Sequence, residues 1–315
     1  MSDQPAAAMS DQDQLAWEAR FGRLAAAFAF AAGFLLLAGT FVLQSMVEDR
    51  GERIRALPDF LLSIDKSPGT MVLSQVLIAL SALCLVPVFV YIFRAVVHRL
   101  PQVPRWFVYL IVIGPVFYAI SLVIGALDRV GVAELFAERS SDVGKYCPAI
   151  AGKAGEECAK DLIADDVSPL GIGLSLAGSV GTAFLFVMLP LRARRAGLMS
   201  QFMAILGVIA GALMVLQLMP LVPEVTRAFW LGAAGALFLG SWPGGRGPAW
   251  ETGQADPWPS AAERRGLVPA GGAAEEATGG RGAGGANGAS ASTTPAEPEP
   301  APQRPSSRKR RRKKR

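Results

Sequence analysis

The chain has 315 residues, 51% of them hydrophobic and only 18% charged, against about 25% charged in a typical soluble domain. Charge is segregated: residues 1–242 hold 18 Lys and Arg against 19 Asp and Glu, whereas residues 243–315 hold 13 against 7. This excludes an ordinary pair of soluble domains and assigns the basic character of the chain to its C-terminal end.

Residues 1–23, "MSDQPAAAMSDQDQLAWEARFGR", are polar and begin acidic, unlike the short basic start of a signal peptide. The 24 uncharged residues between Arg23 and Glu48 also exceed a signal-peptide core. A cytoplasmic N-terminal segment followed by a retained membrane span at 24–46 is expected. Further charge-free intervals predict spans at 71–93, 106–127, 170–191, 198–219 and 228–242. The first five intervals contain 24, 27, 22, 25 and 28 uncharged residues; crossing a hydrocarbon core takes about 20. The sixth holds 18 and is rich in Gly and Ala, with Trp230 and Trp242 near its ends as interfacial anchors. The fold class expected is all-α: a polytopic α-helical membrane protein with six transmembrane helices in residues 24–242 and a disordered basic C-terminal tail.

The connections set an orientation. Residues 94–105 and 192–197 each carry three Arg and no acid, whereas 47–70 carry four basic and five acidic residues and 128–169 carry five and nine. Positive loops face the cytoplasm, and six spans with both termini cytoplasmic satisfy all four connections. A plasma membrane of bacterial type is the expected location.

The outer loop 128–169 contains "KYCPAIAGKAGEECAK", which places Cys147 and Cys158 together on the disulfide-permissive side. A bridge closing about a dozen residues contributes roughly 3 kcal/mol. No His lies in this loop and no further Cys completes a tetrahedral set, so no metal site is expected. Cys84, within the second span, reads as a small packing residue.

None of the six predicted spans contains Asp, Glu, Lys, Arg or His. Proton relays and intramembrane hydrolases require such groups, and no phosphate-cradling loop, nucleophile elbow or zinc motif occurs. We therefore expect no enzyme and no cofactor. Asp165 and Asp166 read as a solvated helix entry, and His98 as an interfacial residue. Small residues at four-residue spacing (Ala25, Ala29 and Gly33; Gly173, Ala177 and Gly181; Gly207 and Gly211) mark expected close helix packing.

From Pro243 the chain turns to Gly, Pro, Ala, Ser and Glu, a composition that predicts disorder from about residue 259. Before that point, Trp242, Trp250 and Trp258 recur at eight-residue intervals, a pattern that suits either docking against the inner surface or a plain Pro-rich linker. The tail ends in Arg308, Lys309, Arg310, Arg311, Arg312, Lys313, Lys314 and Arg315. Each basic residue near an anionic leaflet contributes about 1 kcal/mol, which favours anionic lipid headgroups as partner. Ribosomal or other RNA is the alternative, although no base-stacking aromatic follows Trp258. The function expected is a non-enzymatic interaction or scaffold protein. The competing class is a transporter or channel for an uncharged or weakly polar solute.

Overall fold

A computed structural model describes residues 10–48, 57–104, 106–141, 153–166, 168–216, 221–243 and 245–259. Every described element is an α-helix: α1 Asp11–Glu48, α2 Leu57–Lys66, α3 Pro68–Arg99, α4 Phe107–Ser141, α5 Lys153–Asp166, α6 Pro169–Arg195, α7 Gln201–Leu216, α8 Val222–Leu239 and the short α9 Ala249–Thr252.

Four helices are long and apolar enough to cross a membrane, namely those over Asp11–Met46, Pro68–Arg99, Phe107–Glu138 and Pro169–Arg195. The chain is therefore read as a multi-pass membrane protein, with four candidate spans among the described residues. Of the fifth expected span, α7 covers Gln201–Leu216, and residues 217–219 lie outside the described residues. The sixth overlaps an 18-residue helix that begins upstream of the expected start, ends at Leu239 rather than at 242, and carries Glu224 and Arg227 in its first turns.

On α1 the small residues face inward and the large apolar residues face outward. Ala25, Ala26, Ala29 and Ala32 of α1 are buried, while Phe30, Phe34 and Phe41 of the same helix are exposed. That inversion suits a surface solvated by lipid, where close backbone approach replaces the hydrophobic effect as the source of helix association. α1 lies against α3 and α8, α4 against α3 and α6, and α7 against α6 and α8. The core runs through Phe89, Ile92, Leu185, Phe186, Trp230 and Phe238.

Two of the small-residue stripes pack as expected. Ala25, Ala29 and Gly33 are buried, and Gly207 and Gly211 bring α7 onto Pro190 and Ala183 of α6. The α6 stripe is shifted: Gly173 and Ala177 are exposed, and the glycine that matters is Gly178, where a Cβ would overlap the backbone of Tyr118. Trp230, expected at an interface, is fully buried instead, its indole N–H donating to the Met203 carbonyl at 3.1 Å.

The two ends of the bundle differ. At the end carrying the acidic connections, α4 continues as a helix through residues expected to be loop. There α2 and α5 pack on it to form a second small core of Leu61, Ile64, Val132, Phe136 and Leu162. The opposite end carries the basic connections and the start of α1.

Candidate functional site

The densest polar constellation lies at the basic-connection end, where residues 241–258 fold back across the helix ends. It begins with α1, which extends thirteen residues ahead of the expected first span because Ser10 caps it. The Ser10 Oγ accepts the Asp13 N–H at 3.2 Å, satisfying one free donor of the first turn, and donates to the Asp13 carboxylate at 2.7 Å. The extension brings Glu18 inside the bundle, at 3% exposure.

Arg99, in the last turn of α3, meets it. Nη1 donates to Glu18 Oε1 at 2.6 Å and Nη2 to Oε2 at 3.0 Å, a bidentate pair. Nη1 also donates to the Ala95 carbonyl at 3.0 Å, and Nε and Nη2 donate to the Ala249 carbonyl at 3.2 and 2.5 Å. A guanidinium has five N–H donors, and all five are used. Gln14 Nε2 donates to Glu18 Oε1 at 2.8 Å, and the Tyr91 hydroxyl donates to the Glu18 backbone carbonyl at 3.2 Å.

Trp250, in α9, closes the site. Its indole N–H donates to the Leu198 carbonyl at 2.9 Å. Its ring stacks on Tyr91 with centroids 5.9 Å apart and an interplanar angle of 15°. The Arg99 and Arg246 guanidinium carbons lie 5.7 and 5.6 Å from the ring centroid, within the range of attraction between a cation and an aromatic face. Arg246 in turn donates to the Leu237 and Phe238 carbonyls at the end of α8, where the Leu237 carbonyl also accepts the Gly240 N–H at 3.0 Å.

The fold-back requires two glycines. Gly197, between α6 and α7, has φ +73°, and a Cβ there would overlap the Asp256 carbonyl. At Gly247 a Cβ would overlap the ring of Trp258. Trp242 stacks on Phe202 at 6.5 Å and 18°, so all three tryptophans of the eight-residue series engage the bundle.

No family model, curated protein or solved structure matches the chain. What the site can do is therefore read from its chemistry. It is a clamp: a charged pair, a stacked aromatic column and two close backbone approaches hold the segment after α8 against the bundle. Among the described residues no three His, Cys, Asp or Glu side chains converge on a point that could hold a metal ion.

The residues singled out from the sequence lie elsewhere. Arg308 to Arg315 and Cys147 are outside the described residues. Cys158 lies on α5, half-buried, and is a disulfide cysteine; Cys84 is a free thiol. His98 sits beside the clamp, with Nε2 2.9 Å from the Asp11 carboxylate. Glu18 and Arg99 were missed, because a charge adjoining a predicted span reads as its boundary and nothing local announces a partner on another helix.

Proposed function

We propose that the chain is a non-enzymatic interaction protein of six spans, both termini cytoplasmic, in a plasma membrane of bacterial type. It holds its basic tail against anionic lipid headgroups. The observation that carries this reading is the clamp on Trp250, which fixes the base of the tail at the end of the bundle bearing the Arg-rich connections. Exposed Arg20, Arg23, Arg94, Arg194 and Arg195 occupy the same end, so a leaflet of negative charge would meet both the bundle and the tail. Each such residue near the surface contributes about 1 kcal/mol, screened by salt. Six crossings are supported by the alternation of basic and acidic connections, with α7 and α8 as the short pair.

The test uses the full-length protein in nanodiscs, with a solvatochromic dye on Ser306→Cys in a Cys84→Ala background. Discs containing anionic lipid should shift the emission to the blue relative to neutral discs. The shift should vanish at high salt, or when residues 308–315 are replaced by Ser and Gly. Equal emission in both kinds of disc, with displacement by ribosomes at physiological salt, overturns the lipid reading. Solute flux through liposomes bearing the protein would overturn the interaction class altogether.

A further inference from the structure

We infer that the cleft between α4, α6 and α7 at the acidic-connection end binds a phospholipid with a phosphoethanolamine headgroup. Its phosphate lies on Arg129, its ammonium on Asp128, and one acyl chain runs along α6 and α7.

Depth is the first argument. Trp106, 55% exposed just ahead of α4, marks one interface. Arg129 lies 23 residues further along the same helix, about 34 Å at 1.5 Å per residue. A hydrocarbon core is about 30 Å thick, so Asp128 and Arg129 reach headgroup level on the opposite side.

The lining is the second. The cleft has a volume of about 410 Å³ and is bounded by Asp128 and Arg129 with Ser121, Ser175 and Ser179 on its polar wall. Leu122, Ile172, Leu176, Val180, Met214 and Val215 supply its apolar lining. Leu176 is 66% and Val215 54% exposed, so the cleft opens sideways to the lipid-facing surface rather than to the interior of the bundle. A second cavity of about 280 Å³, between α4 and the helices α2 and α5, shares Gly125, Asp128 and Arg129 with the first. The charged pair thus stands at the junction of two amphipathic spaces, with room on each side for an apolar chain.

Charge selects the head. Arg129 is exposed and lines both spaces beside Asp128. Asp128 accepts the Ser168 N–H through Oδ2 at 3.2 Å, which ties it to the start of α6 and leaves Oδ1 to accept another donor. A purely anionic head would be drawn to Arg129 but repelled by Asp128, and a cation would meet the reverse. A primary ammonium and a phosphate within one head satisfy both, and the ammonium can donate a hydrogen bond that a quaternary amine cannot. This inference depends on insertion of the helices in a membrane but not on the lipid-binding tail, so either can fail alone.

The experiment is native mass spectrometry of the full-length protein in neutral detergent, titrated with phosphatidylethanolamine or phosphatidylglycerol. The wild type should retain one phosphatidylethanolamine with about tenfold preference over phosphatidylglycerol. Arg129→Gln should lower that retention about tenfold, and Ser175→Trp, which fills the cleft without touching the charges, should abolish it. Leu73→Ala, on the exposed surface of α3, should change nothing, and thermal unfolding identifies any variant that is simply misfolded. Equal retention of the two lipids overturns the headgroup assignment. Unchanged retention in both Arg129→Gln and Ser175→Trp overturns the site. Displacement by millimolar soluble phosphoethanolamine shows that the head alone is the ligand and overturns the lipid as occupant.

Discussion

Arg99 and Glu18, 81 residues apart in the chain, form a bidentate pair in which the guanidinium side chain is 0% and the carboxylate 3% exposed. Burying two charges has a desolvation cost that the attraction between them offsets only with near-ideal geometry. Here every guanidinium N–H is bonded and the carboxylate takes a further donor from Gln14. The pair is therefore better read as a device for registry, locking the start of α1 to the end of α3, than as a source of net stability.

Removing one partner should be far worse than removing both. Glu18→Ala leaves a buried guanidinium uncompensated and should cost about 3–5 kcal/mol. The double variant Glu18→Leu, Arg99→Met should recover much of that loss. Thermal unfolding of the four members of the cycle in one detergent measures the coupling. Additive losses would refute a coupled buried pair.

Trp250→Ala should release the segment after α8. A buried tryptophan truncated to Ala typically loses about 3–5 kcal/mol, more than a short strap can lose and stay docked. The readout is trypsin cleavage after Arg246, slow while Arg246 is bonded to the α8 carbonyls and at least tenfold faster in the variant. Equal rates would mean the strap is not held by its indole.

Gly197→Ala should produce the same protease sensitivity by another route. Its positive φ and its overlap with the Asp256 carbonyl act together, since an L-residue in that conformation costs about 1 kcal/mol even without the clash. If the variant is as resistant as the wild type, the close approach of the α6–α7 connection to residue 256 is not formed in solution.

The sulfur chemistry should be divided. We expect Cys147 and Cys158 to be bridged, and Cys84 to react with a thiol reagent only after denaturation. Non-reduced peptide mapping by mass spectrometry reads both. Reduction should lower the stability of the α2–α5 end by roughly 3 kcal/mol while leaving the clamp intact.

Topology is open to labelling in intact cells. Cysteines introduced beside Arg194 and Arg315 should resist an impermeant reagent, and one beside Asp142 should react. Reaction beside Arg315 would show that α7 and α8 together do not return the chain to the cytoplasmic side.

Charge-free intervals read the helical class and four of the spans correctly because an uncharged stretch of that length has few other uses. They failed at the ends. Arg20 and Arg23 look like the boundary of the first span, yet they point outward while Glu18 points inward, and the helix passes through all three. The Ser10–Asp13 cap was the signal for the true start, visible as Ser-x-x-Asp ahead of an apolar run. Asp128 and Arg129 likewise look like the end of a span, yet the helix continues to Ser141. The fold-back was half legible. The tryptophan spacing suited docking and a plain linker equally, and the acceptor on Leu198 and the pair beneath could be found only by assembling helices distant in sequence.

The bond from Arg99 to the Ala249 carbonyl spans 150 residues, and its timing during synthesis follows from that separation. Chains emerge from the N-terminus at about 5–20 residues per second, so α1 and α3 can pair many seconds before Ala249 exists. During that interval Arg99 has an unfilled Nε, a half-filled Nη2 and open water above it. Before residue 249 emerges Tyr91 has Trp17 and Phe238 as ring partners but lacks the face that Trp250 covers. The bond therefore joins the first helix pair to a segment that emerges long after it, and docking of α9 is a late, separate step of assembly.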